Sequence, residues 1–296
     1  MRNPLLIALD AWHHRFWSPD PQSSAQTDRL RPAVVITGAS EGIGLALAER
    51  FAAAGHVLVL IARRCEPLEA ATAAVRQRYS VEVIALTLDI TAPDAAEVIT
   101  ETLARARLYA DILVHNAGIG LGGPFTSHAP AAIARLIETN IGALTRLSRH
   151  VLPDMCRRGR GGILNIASLG GYAPGPNQAA YYASKAYVVS LTRALAYETR
   201  GQGVRICVVA PGPVETRFHA KMGADTAFYR TLLRGQSPQA VARSAYRGFR
   251  WRRRVILPGV VTPILALAMT VTPGIVSIPI IGLLLRRRGV RDARRA

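Results

Sequence analysis

Cysteine is scarce: the 296 residues hold three, Cys65, Cys156 and Cys207. Their spacing makes neither a paired metal-ligand motif nor the framework of a disulfide-stapled secreted domain. Each is read as a small buried residue of a protein in reducing surroundings, so the cytoplasm is the expected compartment and no metal ligand is assigned. A long polar tract, an internal repeat and a linker between two compact domains are also missing. Arg2 and a short apolar run open the chain, but Asp10 ends that run and no small-residue cleavage site follows, so no signal peptide is assigned. Acidic side chains are few, 19 against 37 Lys and Arg, for a formal charge of +18. That balance favours anionic partners without choosing among nucleotide phosphates, acidic lipid headgroups and nucleic acid, and a solvated basic surface is the bland alternative. Nucleic acid is set aside, because no recognition module and no alternation of basic and aromatic residues is found.

With 50% hydrophobic residues the chain can bury a large core in one domain. Residues 1–32, with Pro19, Pro21, Ser23 and Ser24, read as an N-terminal arm. Short strands that are apolar throughout then follow at 33–36, 56–62, 81–88, 111–114, 162–167 and 204–209. Helical stretches at 43–53, 66–78, 92–106, 130–155 and 177–199 separate them. This alternation predicts an α/β fold, a Rossmann-like doubly wound parallel sheet with helices on both faces and ligands beyond the carboxyl ends of the strands.

The first strand runs into Thr37-Gly38-Ala39-Ser40-Glu41-Gly42-Ile43-Gly44 and a helix. Glycines there permit a tight turn and close backbone approach, and free N–H groups at the helix start suit a pyrophosphate. The second strand ends in Ala62-Arg63-Arg64. Ala62 cannot accept from a ribose 2′-hydroxyl as the acid of an NAD site does, whereas Arg63 and Arg64 could pair with a 2′-phosphate, so NADP(H) is preferred and NAD(H) stays open. The two arginines could instead merely face water. Asp89, before Ile90, could accept from an adenine amino group, and Asn116-Ala117-Gly118 could let the chain approach a cofactor; each could equally be a turn former.

Tyr181 and Lys185, four apart on a helix, share one face. An ammonium beside a phenol favours the phenolate, so Tyr181 could serve as general acid or base, although such pairs also occur by chance. Ser168, just past a strand end, could orient a substrate oxygen or simply be satisfied by the turn Ser168-Leu169-Gly170-Gly171. Asn140, in a long helix, could be a buried polar or helix-kinking residue.

From about Ala33 to Thr216 these motifs, taken in order, resemble the classical short-chain dehydrogenase/reductase family. The resemblance implies that Thr37 to Gly44 is the cofactor turn and Asp89 the adenine-side aspartate. It implies a catalytic tetrad of Asn140, Ser168, Tyr181 and Lys185, with Asn140 holding a water in a proton relay from Lys185. Pro211-Gly212-Pro213-Val214-Glu215-Thr216 then matches the stretch over the nicotinamide, with Val214 and Thr216 as contacts. Three positions depart from the pattern: His115 stands where an asparagine is frequent, Tyr182 where a smaller residue is, and Glu41 where NADP(H)-preferring relatives often carry a basic residue. The organisation implied is an arm at 1–32, an NAD(P)-binding catalytic domain at 33–258 with a lid at 217–234, and a hydrophobic, basic-ended extension at 259–296. The activity implied is hydride transfer between NADP(H) and an alcohol or carbonyl compound, with homo-oligomerisation as in many relatives. A cofactor-binding membrane scaffold without turnover is the alternative.

The lid's Phe218, Met222, Phe228 and Tyr229 point to a hydrophobic or extended substrate, or to an ordinary packed helix. Val255 to Leu285 runs 31 residues without a charge, between Arg252-Arg253-Arg254 and Arg286-Arg287-Arg288. Its length exceeds the ~20 residues of a bilayer span, but Pro258, Pro263, Pro273 and Pro279 argue against one smooth helix. Three arrangements remain: a hairpin against an anionic membrane surface, an imperfect span, or a helix pair closing the pocket.

Overall fold

The computed structural model describes residues 30–223 and 235–286. The arm up to residue 29, the lid residues 224–234 with Phe228 and Tyr229, and the arginines after residue 286 lie outside the described residues. Seven parallel strands, β1 (Arg31–Thr37), β2 (Val57–Ala62), β3 (Val83–Thr87), β4 (Leu108–His115), β5 (Gly161–Ile166), β6 (Val204–Val209) and β7 (Val255–Ile256), form one sheet in the order β3-β2-β1-β4-β5-β6-β7. The helices are α1 (Gly42–Ala52), α2 (Cys65–Tyr79), α3 (Ala95–Arg105), α4 (Pro130–Ile137), α5 (Ala143–Arg157), α6 (Ala179–Glu198), α7 (Phe218–Lys221), α8 (Pro238–Arg250), α9 (Val261–Val271) and α10 (Gly274–Leu284).

Side chains alternate across a strand, so a strand covered on both faces must be apolar at every position. In β1, Val34 and Ile36 enter the core shared with α1, α2 and α8, while Ala33 and Val35 enter the core shared with α3 and α5. The fold is the doubly wound, Rossmann-like sheet expected from the alternation of strands and helices. Strand order reverses between β1 and β4, which opens a crevice at their carboxyl ends.

Three local outcomes differ from expectation. The helix expected over 130–155 is divided: α4 and α5 flank a π-helical turn, Glu138–Gly142, that carries Asn140. Helix α8 stands where the sequence analysis placed no element; Ser237 caps it by accepting from the Ala240 N–H at 3.2 Å, and Pro238 occupies its first turn. Of the cysteines, Cys207 is buried and Cys156 partly so, but Cys65 opens α2 on the surface.

The charge-free tail resolves into α9 and α10, separated at Thr272-Pro273. Each has 11 residues, about 16 Å of helix against a ~30 Å hydrocarbon core. Among the described residues no helix is long and apolar enough to cross a membrane. Arg252-Arg253-Arg254 precede β7, whereas α9 and α10 follow it at the other end of the strand.

Candidate active site

A cleft of about 1660 Å³ opens over the carboxyl ends of the strands. Single ligands commonly occupy pockets of roughly 300–1,000 Å³, so there is room for a dinucleotide and a second molecule. Its wall includes Gly38, Ser40, Glu41, Gly42, Ile43, Arg63, Arg64, Asp89, Ile90, Asn116, Ala117, Gly118, Ser168, Tyr181, Lys185, Pro211, Gly212, Val214 and Thr216. Two residues named from the sequence, Gly44 and Asn140, stand behind the wall instead.

The glycine turn is built by backbone geometry. Gly42 has φ +61, and a Cβ at Gly44 would lie 2.3 Å from the Gly38 carbonyl oxygen and 2.4 Å from Asn116 Nδ2. Asn116 explains that crowding: its Nδ2 donates to the carbonyls of Thr37 at 3.1 Å and Gly38 at 2.9 Å, tying the turn to the end of β4. Glu41 stands at the N-cap of α1 with no side-chain capping bond. The first amides of α1 therefore face the cleft without a side-chain acceptor, which suits a pyrophosphate.

At the end of β2, Arg63 lies 3.8 Å from Asp89, and Arg135 approaches the same carboxylate at 3.1 Å. Asp89 Oδ1 also accepts from the Thr91 N–H at 3.1 Å and hydroxyl at 2.8 Å, so its turn-forming and cleft-lining characters coexist. Burial pushes the Asp89 carboxyl up, but the Thr91 donors and the Arg63 and Arg135 charges outweigh it and hold the group below its ordinary value. Glu41 does not stand as a bare acid in this basic corner. It pairs with Arg64 at 3.1 Å and with Lys221 from α7.

Tyr181 and Lys185 sit one turn apart in α6, both buried, with Lys185 Nζ 5.8 Å from the centroid of the Tyr181 ring. Nζ donates to the Ile166 carbonyl at the end of β5 at 2.9 Å, and burial lowers its pKa to about 8. Ser168 Oγ accepts from the Gly170 N–H at 3.1 Å while lining the cleft, so the turn and the cleft share this hydroxyl. Asn140 spends its side chain on positioning. Its Oδ1 accepts from the Ile119 N–H and its Nδ2 donates to the Ile119 carbonyl, each at 2.9 Å, and to Ser184 Oγ at 3.0 Å. Ser184 Oγ donates in turn to the Tyr181 carbonyl at 2.7 Å.

Ser184 was not singled out from the sequence, and neither was Gln178. Gln178 is buried, lines the cleft, and its Nε2 has no hydrogen-bond partner among the described residues. Such a group costs free energy unless a ligand accepts from it. Only its place just before Tyr181 could have drawn attention to it. Tyr182 packs against Gly170 and Gly175, whose added Cβ atoms would lie 3.1 Å and 2.3 Å from its ring.

The far wall is apolar. Phe218 and Met222 close over Tyr181, with the Phe218 and Tyr181 ring centroids 5.6 Å apart. Leu265, Met269, Ile280, Ile281 and Leu284 of α9 and α10 continue that wall.

The sequence model of the short chain dehydrogenase family matches residues 32–227. The chain belongs to this family. Sulfoacetaldehyde reductase of Chromohalobacter salexigens is 36% identical to this short-chain dehydrogenase over 221 residues, 74% of the chain and 82% of the relative. Very-long-chain 3-oxoacyl-CoA reductase-B of Danio rerio is 33% identical over 208 residues, 69% of the chain and 66% of the relative. A short-chain dehydrogenase from Sphingobium yanoikuyae, solved in complex with NADPH, superimposes with a TM-score of 0.72 at 35% identity, covering 90% of this chain and all 100% of that one. Family membership and the Tyr181–Lys185 pair make the protein an oxidoreductase of CH–OH and C=O groups.

Proposed function

We propose that this short-chain dehydrogenase uses NADP(H) to interconvert a ketone and an alcohol on a hydrophobic, extended substrate. One observation carries the reading. The glycine turn, the Arg63 corner, the Tyr181–Lys185 pair and the apolar face of α9 and α10 line a single continuous cleft. Arg63 and Arg64 supply charge-assisted donors where a 2′-phosphate would lie, and the NADPH-bound structural relative supports the same preference. NAD(H) remains a weaker alternative cofactor.

NADP(H) held in this cleft would supply hydride in reduction and take it up in oxidation. In the reduction direction Tyr181 Oη gives its proton to the carbonyl oxygen, and in oxidation it takes that proton back. The Lys185 ammonium, held against the Ile166 carbonyl, stabilises the phenolate left behind. Ser168 orients the substrate oxygen. Asn140 acts through Ser184 and Ile119 to hold α6 and the loop after β4 in register, and Val214 and Thr216 cover the nicotinamide side. Gln178 Nε2 supplies a second polar contact to the substrate.

The two relatives divide on substrate, one named for a small anionic aldehyde and the other for very-long-chain oxoacyl groups. Apolar side chains from the lid and tail favour the second kind. The outer side of the tail supports a further element of the reading, contact with an anionic membrane surface. Val261, Ile264, Leu267, Val271, Ile275 and Leu283 are all more than half exposed there, a patch of the kind that soluble surfaces rarely leave uncovered. NADPH oxidation measured against ketones of increasing chain length, with NADH as the comparison, tests the activity. Rates that rise with chain length and favour NADPH support it; faster turnover of small charged aldehydes would replace the substrate assignment.

A further inference from the structure

Helix α7 meets both halves of the cleft. Phe218 packs against Tyr181 on the substrate side, and Lys221 Nζ donates to Glu41 Oε1 in the glycine turn. Three further contacts hold this segment in place. The Phe218 N–H donates to Thr216 Oγ1 at 3.3 Å, and the Gly122 N–H donates to the Met222 carbonyl at 2.9 Å. Thr216 lies against the glycine turn, where a Cβ added at Gly42 would come within 3.2 Å of its Cγ2. The position of Lys221 therefore follows from its neighbours in the chain as well as from the ion pair.

Glu41 Oε1 also accepts from Arg64 Nη2 at 3.1 Å, so one carboxylate oxygen serves two cations, 23 and 180 residues away in sequence. Glu41, Arg64 and Lys221 all line the cleft. Their side chains are 38%, 54% and 51% exposed, and ion pairs so exposed contribute little to stability. What they alter is the charge that an incoming anion meets. Glu41 with Arg64 alone is a neutral pair, whose carboxylate repels a phosphate and whose guanidinium is committed to that carboxylate. Lys221 gives the group a net positive charge. Arg64, with several N–H donors on its planar fork, then keeps donors for a second acceptor.

We propose that Lys221 sets the preference for NADP(H) over NAD(H) by masking the Glu41 carboxylate, which leaves Arg64 available to the 2′-phosphate. Lys221 is a positioning residue in this role, because it acts through Glu41 and Arg64. The inference rests on the cofactor reading above and deepens it: a residue of α7, the helix that also walls the substrate side, completes the 2′-phosphate corner.

The test is the Kd of NADPH and of NADH, read from nicotinamide fluorescence at low ionic strength with no turnover required. It compares the full chain with Lys221→Met, Lys221→Arg, Glu41→Gln and the double variant Glu41→Gln with Lys221→Met. Lys221→Met is expected to weaken NADPH about tenfold, the effect of losing one unit charge near a dianion in a solvated corner, and to leave NADH within about twofold. Lys221→Arg should keep the preference. Once Glu41→Gln has removed the carboxylate, Lys221→Met should cost NADPH no more than about twofold, because its partner is gone. A Lys221→Met variant that prefers NADPH as strongly as the wild type overturns the inference and leaves the cofactor reading standing. So does a tenfold loss that persists in the double variant, since Lys221 would then act on the phosphate without Glu41. A wild type that binds the two cofactors equally removes the cofactor reading itself, and the inference with it.

Discussion

His115 closes β4 as a buried side chain, with Nε2 3.0 Å from Ser148 Oγ. Burial lowers its pKa from 6.5 to about 3, so the folded protein holds it neutral. The unfolded chain takes up a proton below pH 6.5 that the folded chain refuses until about pH 3, and stability is lost as pH falls through that window. Between pH 7 and pH 5 the loss is about 2 kcal/mol. His115→Asn is expected to remove that part of the acid sensitivity, measured as the urea midpoint at the two pH values. Equal pH dependence in the variant and the wild type would show that His115 is not the source. From the sequence His115 was visible only as a departure from a family pattern; its neutrality depends on α5 packing Ser148 and apolar neighbours over it. Arg63 was more legible, because its position after a strand decides where its charge lies. The pairing of Glu41 with Lys221 was not, since 180 residues separate them.

At the scale of elements, periodicity and punctuation carried the core strands and helices, whose apolar runs and Gly-rich turn follow from local rules. Two features did not follow. The π-helical turn at Glu138–Gly142 carries Asn140, which bonds to Ile119 and Ser184, partners that only the fold brings together. Helix α8 buries Ala242, Ala245, Tyr246 and Phe249 on one side, a face of small and aromatic residues masked by the arginines between them. The tail was legible as apolar and interrupted, but its division of labour was not. Leu265, Met269 and Ile281 face the cleft, while Leu267 and Ile275 are 65% and 87% exposed. Burying a leucine or isoleucine side chain contributes about 1.5–3 kcal/mol, so the paired change Leu267→Asp with Ile275→Asp should weaken binding to anionic vesicles by at least about 100-fold. NADPH binding should not change, because neither residue lines the cleft. Unaltered vesicle binding would instead turn this outer face toward protein contacts.

For the whole molecule, strand order converts scattered sequence signals into one site. The glycine turn after β1, Arg63 after β2, Asp89 after β3, Asn116 after β4 and Ser168 after β5 all come to the carboxyl ends of a parallel sheet. Each of these signals alone also fits an ordinary turn; their common end of the sheet is what distinguishes a site from a set of turns. The burial of Gln178 against the cleft could not be read this way, because it depends on packing between elements far apart in sequence, and the tail's share of the wall was one of three arrangements left open. The central claim is that Tyr181, and not its neighbour Tyr182, moves the proton. Single-turnover oxidation of bound NADPH by the best ketone substrate, in the wild type, Tyr181→Phe and Tyr182→Phe, tests it most directly. Loss of at least about 100-fold in rate in Tyr181→Phe, with NADPH affinity kept and Tyr182→Phe still active, is the expected result. A Tyr181→Phe variant that turns over at the wild-type rate would contradict it.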